Sequence, residues 1–521
     1  MDHLSKSANP RLRAHAKAAN ELKQRITRQV ASLVLTHQPG SIMKHYDLYL
    51  AGKKHAGADK LDVTNKFTGE VIATVARADA DMLEQAIAAG KACENTVASL
   101  MAHEKQAILE YCVSAFEDRF DELTQALIDE GGKPRGSAVA EVKRLISTFK
   151  LARDTVTTMP LGEVIPLDVT KTAEGYRGMT QRVPIGLCSL ISPFNFPLNL
   201  TAHKIAPAIV AGCPFVLKPA SSTPISALII AEVLASSGLP EGAFSILPMS
   251  SDIADKLVTD ERIKLLSFTG SDQIGWDMKA RAGKKKVVLE LGGNAAVMVE
   301  PGTDLDMAVP RIITGGYSQN GQVCISVQRV LAHAEIYDEV KTKLTDAVKA
   351  IHTGDPDDED TLVGPMISTK ERDRAHEWIT QSIKDGATAL VEGGVEDQVL
   401  KPYLLEGVAH SADIYEEEAF CPVVILERYE SFSEGIKLVN QSRYGLQIGV
   451  YTPNIDDAFT AWDQIAAGGV VINDVPTFRV DNMPYGGVKD SGLGREGIRY
   501  AVLDMSEERL LVIKHTRKAQ P

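Results

Sequence analysis

Ile185-Gly186-Leu187-Cys188-Ser189-Leu190-Ile191-Ser192-Pro193-Phe194-Asn195-Phe196-Pro197 opens the stretch on which the fold turns. Residues 185–192 are mostly apolar, the pattern of a strand buried on both faces. Leu198 to Val210 follows as a helix that must accommodate Pro207, and Pro214 to Leu217 reads as a second buried strand. Pro224 to Ser236 reads as another helix, with Ser222 and Thr223 as candidate caps. Strand and helix in alternation predict an α/β fold, a parallel sheet with helices on both faces. The rhythm extends both ways. Val71 to Val75 reads as a strand, Ala78 to Phe116 as helical, and a second α/β unit runs from Gly293 to about Asn482.

A chain of 521 residues exceeds the usual size of one domain and predicts two or more large cores. Its net charge of −13 argues against nucleic acid and anionic membranes as partners, since both call for basic patches. No apolar run reaches the roughly 18 residues that span a bilayer. Cys93, Cys112, Cys188, Cys213, Cys324 and Cys421 are scattered, with no CxxC pair and no histidine cluster at zinc spacing. That predicts free thiols in a reducing, cytoplasmic setting and no bound metal. The acidic run Asp355 to Asp360 lacks the glycine of a calcium loop and reads as solvated. Residues 1–45 stand apart as a basic N-terminal extension, with an amphipathic helix predicted from about Pro10 to Leu35. It reads as a surface helix, with an organelle-targeting segment as the alternative.

The chemistry concentrates in Gly321-Gln322-Val323-Cys324, which follows Leu289-Glu290-Leu291-Gly292-Gly293-Asn294 in the chain. A thiolate is a strong nucleophile but a small fraction of a free cysteine at neutral pH, so it needs a base or positive surroundings. A glutamate can supply the base, and glycines let other groups approach closely. Leu289 and Leu291 on either side predict a buried Glu290 with a raised pKa, suited to work near neutrality. Val164 to Pro184 reads as a protruding hairpin and Glu508 to His515 as a terminal strand. Exposed strand edges of this kind need partners.

Ile191 to Pro197, Phe215 to Ser221, Ser267 to Gly275, Glu416 to Pro422 and Pro484 to Gly492 occur in a fixed order around Glu290 and Cys324. This ordered set resembles the NAD(P)-dependent aldehyde dehydrogenase superfamily, over about residues 46 to 515. The resemblance implies a Rossmann-like dinucleotide-binding domain (46–163 and 185–292), a catalytic domain (293–488) and oligomerisation segments (164–184 and 489–521). A homodimer or homotetramer is implied. Cys324 would attack the aldehyde, the Asn195 amide and the Cys324 N–H would hold the oxyanion, and Glu290 would activate water. Cofactor contacts fall on Ser192, Phe194, Lys218, Ser221, Gly270, Ser271, Gly275, Leu291, Glu418 and Phe420. Many NAD-preferring relatives carry a glutamate where this chain has Ser221, so NADP is expected to be preferred, with NAD still usable.

The chain departs from the family in places. Cys421 stands where glycine is usual, beside the expected nicotinamide site. The implied substrate pocket comprises His203, Tyr317, Ser318, Ile325 and the loop Pro476 to Met483 with Arg479. Succinate semialdehyde relatives place arginines where this chain has His203 and Ser318, so that two-arginine clamp is missing. Arg479 is the loop's one arginine, either an ion-pair partner or a grip for an anionic substrate. The expected substrate is a small hydroxylated or anionic aldehyde of the lactaldehyde or glyceraldehyde type. A CoA-acylating enzyme is the alternative that Glu290 argues against. A non-catalytic protein on the same fold is disfavoured by intact Asn195, Glu290 and Cys324.

Overall fold

The computed structural model describes residues 43–159 and 162–515, so the helix expected between Pro10 and Leu35 lies outside them. Two sheets organise residues 45 onward. In the first, five parallel strands lie in the order Lys286–Glu290, Leu265–Thr269, Cys188–Ile191, Phe215–Lys218 and Phe244–Ile246. Sequence order reverses at Cys188–Ile191: the next two strands extend the sheet on one side, and Leu265–Thr269 begins the other. Such a switch point opens a crevice at the carboxyl ends of the strands, where α/β sheets bind ligands.

Helices cover this sheet, as the alternating pattern predicts. Asn199–Ala211 is buried almost all round, and Pro224–Ser236 begins with proline in its first turn. Pro207 lies inside Asn199–Ala211, so the helix runs through a residue that breaks most helices. Phe116 and Phe149 from two further helices meet edge-on at 5.0 Å between centroids and join Ile205 and Leu217 in one core. Each such fully buried side chain stabilises the fold by roughly 1.5–3 kcal/mol.

The second sheet is built from Thr388–Val391, Tyr403–Glu406, Val423–Tyr429, Val327–His333, Ala295–Val299, Gln447–Tyr451 and Gly469–Ile472, parallel except for the first pair. The chain passes directly from one sheet to the other: Glu290 ends a strand of the first and Ala295 begins a strand of the second. The carboxyl edge of the first sheet is thereby joined to the amino edge of the second.

A third sheet pairs Tyr176–Pro184 with Val164–Pro166 on one side and Ser506–Lys514 on the other. Leu510, Leu511 and Val512 on its edge strand are about half exposed. The segment 489–521, assigned as a whole to oligomerisation, divides at Ser506. Gly492–Leu493 pairs with Leu289–Glu290 in the first sheet, and Ile498 and Val502 enter the core against Ile205. Apolar spacing in that short helix explains the division, since its buried face belongs to the first sheet's core.

Candidate active site

Cys324 lies on a loop between the helix Leu305–Tyr317 and the strand Val327–His333. Three consecutive residues before it, Gln319, Asn320 and Gly321, have left-handed backbones with φ of 55°, 61° and 68°. Side chains offset that strain. Asn320 Nδ2 donates to the Pro365 carbonyl at 2.7 Å, and Gln322 Oε1 accepts from the Ile367 N–H at 3.0 Å. Two glycines let neighbouring backbone pass. A Cβ on Gly321 would lie 2.1 Å from the Cys421 carbonyl oxygen, and one on Gly293 would lie 2.2 Å from that of Cys324.

Cys324 Sγ sits 2.9 Å from the Tyr485 hydroxyl. Burial pushes its thiol up to about 12, against the pull of the Tyr485 hydrogen bond. Glu418 and Glu290 act to raise it further, and Arg479 acts to lower it.

Asn195 is buried on the loop after Cys188–Ile191, and its Nδ2 donates to the Gln322 carbonyl at 2.9 Å. The sequence-distant asparagine is thus fastened to the turn that carries Cys324. Its loop is fixed from below by a buried Lys133–Glu141 ion pair. Glu141 Oε1 accepts from the N–H groups of Leu198 and Asn199 at 2.9 and 3.1 Å, and Lys133 Nζ lies 3.9 Å from the Phe196 ring centroid. Neither Lys133 nor Glu141 announces itself in sequence, because their partners lie about sixty residues away.

Glu290 is buried at its strand end, as its flanking leucines predict, and neither carboxylate oxygen has a hydrogen-bond partner. Desolvation, with the negative Glu496 nearby, holds its pKa well above the ordinary carboxylate range. Glu496 differs. Burial opposes its charge, but Lys204 and Arg479 hold it well below that range. Lys204 Nζ is 3.6 Å from Glu496 and 2.9 Å from the Ser267 hydroxyl, while Arg479 Nη2 donates to Glu496 at 2.9 Å. Two carboxyls in one site are therefore set apart, one disposed to hold a proton and one to stay ionised.

Most of the expected cofactor residues stand at or just beyond the carboxyl ends of the first sheet's strands. Ser192 and Phe194 follow one strand, while Gly270 and Ser271 follow its neighbour, with Ser271 immediately preceding the helix Asp272–Arg281. Gly275 packs against Leu291, where a Cβ would lie 2.4 Å from that side chain. Lys218 ends its strand and Ser221 is exposed three residues on. On the facing edge, Glu418 Oε1 accepts from the Gly293 N–H at 3.0 Å, and Phe420 meets Phe194 edge-on at 5.9 Å. The helix N-terminus offers backbone N–H groups with no side-chain cap on them, and the buried Thr269 hydroxyl has no partner. These free donors fit the diphosphate of a dinucleotide.

The expected substrate residues fare unequally. His203 is buried, with Nε2 3.0 Å from Asp481, which also accepts from Arg144 at 2.7 Å. Ile325 packs with Leu446 and Tyr485. Tyr317 is a correction: it belongs to the second sheet's core, and its hydroxyl donates to the Tyr403 carbonyl at 2.9 Å. Ser318 turns its hydroxyl back to the Thr314 carbonyl. Cys421 points into a core with Met366, Tyr403 and Val423, so its sulfur is shielded. Tyr485, Lys204, Glu496 and Arg144 escape sequence reasoning, while Asp481 lies in the loop Pro476 to Met483 already expected at the pocket. Tyr485 and Glu496 lie in or beside a recognisable motif, but their contacts are long-range and leave no local periodicity.

Cys324 and the buried Glu290 share one site beside the carboxyl edge of the first sheet, the arrangement a cysteine-dependent dehydrogenase would need. The model of the aldehyde dehydrogenase family matches residues 53–511, and the chain belongs to this family. It is 36% identical over 473 residues to a 3-sulfolactaldehyde dehydrogenase of Priestia aryabhattai, covering 90% of this chain and 98% of that one. Aldehyde dehydrogenase 21 of Physcomitrella patens, solved in complex with the reaction product succinate, is similar at 46% identity and a TM-score of 0.90, covering 92% of this chain and all of that one. Glyceraldehyde-3-phosphate dehydrogenase GapN of Methanocaldococcus jannaschii, solved with NADP, is similar at 35% identity and a TM-score of 0.83, covering 87% and 99%. The protein is an NAD(P)-dependent aldehyde dehydrogenase. No helix among its described residues is long and apolar enough to cross a membrane.

Proposed function

We propose that this enzyme oxidises a small anionic or hydroxylated aldehyde to the free acid, with Cys324 as nucleophile and Glu290 as general base. Cys324 gives up its proton to solvent, and its Sγ attacks the carbonyl carbon, so that a C–S bond forms as the carbonyl π pair moves onto oxygen. The second N–H of the Asn195 amide and the Cys324 backbone N–H take the developing oxyanion. NAD(P), when bound, supplies the hydride acceptor. Glu290 then removes a proton from water as its oxygen attacks the thioester, and the C–S bond breaks to release acid and Cys324.

The observation that carries the substrate class is the place of Arg479. Its guanidinium lies 3.7 Å from the centroid of the Tyr485 ring, whose hydroxyl touches Cys324 Sγ, and its Nε has no partner. One edge is held by Glu496 while the remaining donors stay available for an anion. The three relatives are named or titled for a sulfonated aldehyde, a dicarboxylate product and a phosphorylated aldehyde, all anionic. Arg479→Ala is expected to raise KM for anionic aldehydes about 10- to 150-fold, equivalent to a charge-assisted hydrogen bond of roughly 1.5–3 kcal/mol. Equal effects on a neutral aldehyde of the same length would return Arg479 to a structural role.

The preference for NADP rests on charge. Lys218 donates to the Pro219 carbonyl at 3.3 Å, and burial, then the neighbouring Arg77, lower its pKa; no carboxylate faces it among the described residues. A 2′-phosphate would relieve that imbalance, and the exposed Ser221 adds a donor where a glutamate would repel. Ser221→Glu should shift the ratio of kcat/KM towards NAD by at least about tenfold, or about 1.4 kcal/mol. An unchanged ratio, or a strong NAD preference in the wild type, would overturn the assignment. The half-exposed Leu510, Leu511 and Val512 on an edge strand support a homo-oligomer that covers them.

A further inference from the structure

We infer that Tyr485 is the positioning residue that readies Cys324: its hydroxyl donates to the Cys324 thiolate and holds Sγ in place for attack. This rests on Cys324 being the nucleophile. The geometry is specific. Tyr485 Oη and Cys324 Sγ are 2.9 Å apart, and a thiolate can only accept, so in the reactive state the phenol is the donor.

The ring has little freedom to move. Tyr485 N–H donates to the Glu496 carbonyl at 3.1 Å, and the Glu496 N–H returns a bond to the Tyr485 carbonyl at 2.6 Å. Ile325 and Leu446 pack on the ring, and Arg479 stacks 3.7 Å from its centroid. Glu496 both fastens the backbone of Tyr485 and pairs with the arginine on its ring. A donor fixed before reaction costs no reorganisation when charge develops.

The charged and titratable groups facing Cys324 are Glu290 from the first sheet, Glu418 from the loop before Val423, and Arg479 with Tyr485 from the loop before Val488. The two carboxyls disfavour a thiolate, so the two groups that favour it are Tyr485 and Arg479. Burial holds the Tyr485 phenol well above its ordinary pKa, which keeps its proton in place as a donor and excludes it as a base. Attack by Sγ therefore leaves the Tyr485 O–H bond intact.

The test uses alkylation of the full chain by iodoacetamide across a pH series. Cys324 alone among the six cysteines keeps part of its side chain exposed, so the rate reads its thiolate, and Cys324→Ala supplies the blank. Tyr485→Phe keeps the ring, its packing and the arginine stack while removing the donor. The alkylation midpoint is expected to rise by about one pH unit, a roughly tenfold slower reaction at pH 7. The NAD(P)H burst should slow in parallel, with KM for the aldehyde nearly unchanged. Arg479→Met should move the midpoint in the same direction by less, and it serves if Tyr485→Phe does not fold. An unmoved midpoint in a folded Tyr485→Phe protein overturns the inference even if Cys324→Ala is inactive. Full turnover by Cys324→Ala would instead refute the nucleophile assignment beneath it.

Discussion

Cys324→Ala is expected to abolish aldehyde oxidation, lowering kcat by roughly 10⁴-fold or more, while cofactor affinity stays within a few fold of wild type. The reason is a division of labour between sheets. Cys324, the proposed nucleophile, stands on a loop that feeds the second sheet, whereas Ser192, Lys218, Gly270 and Ser271 stand at the carboxyl edge of the first. Removing one sulfur eliminates the covalent route and leaves that crevice untouched. Stopped-flow measurement of NAD(P)H formation together with cofactor titration checks both halves. Residual turnover within tenfold of wild type would sink the assignment.

Glu290→Gln is expected to separate the two halves of the reaction. The amide keeps the shape of the buried side chain but cannot take a proton from water, so deacylation should slow by roughly 10²–10⁴-fold. A burst of NAD(P)H close to one per active site, followed by slow turnover, is the signature. The pH dependence of wild-type deacylation follows from the direction of the Glu290 shift. Because burial raises its pKa, the carboxyl is protonated at low pH, and hydrolysis should rise as pH increases through that raised value. Glu290→Gln should flatten this limb. A burst and steady state both like wild type would remove Glu290 from the role.

Local signals in the chain were enough for the architecture. Apolar runs at Ile185 to Ser192 and Pro214 to Leu217 predicted neighbouring parallel strands, and the observed strands Cys188–Ile191 and Phe215–Lys218 pair in that way. The leucines around Glu290 predicted its burial, because adjacent apolar residues at a strand end mark a covered edge. What escaped reading were relations across long sequence separations. Tyr485 looks like one aromatic in a glycine-rich motif until the fold brings it to Cys324, 161 residues away. Tyr317 misled in the other direction: its position in the family pattern placed it at the pocket, but helix geometry turned it into the core. The end of the chain was misdivided for a similar reason. The helix Ile498–Asp504 is too short to show which sheet its apolar face will meet.

The crowding at Gly293 and Gly321 bears on how such an enzyme can be repurposed. A Cβ at Gly321 would collide with the Cys421 carbonyl oxygen, and one at Gly293 with that of Cys324. Arg479 and Ser221, by contrast, are proposed to act through what their side chains present to a visiting molecule. A lineage exploring a different coenzyme can therefore exchange Ser221 without touching the thiol, whereas Arg479 is tied to Glu496 and to the Tyr485 ring, and neither glycine accepts a side chain without displacing backbone. The loop that carries Cys324 depends on atoms that must be missing, and the proposed choice of coenzyme on atoms that can be exchanged.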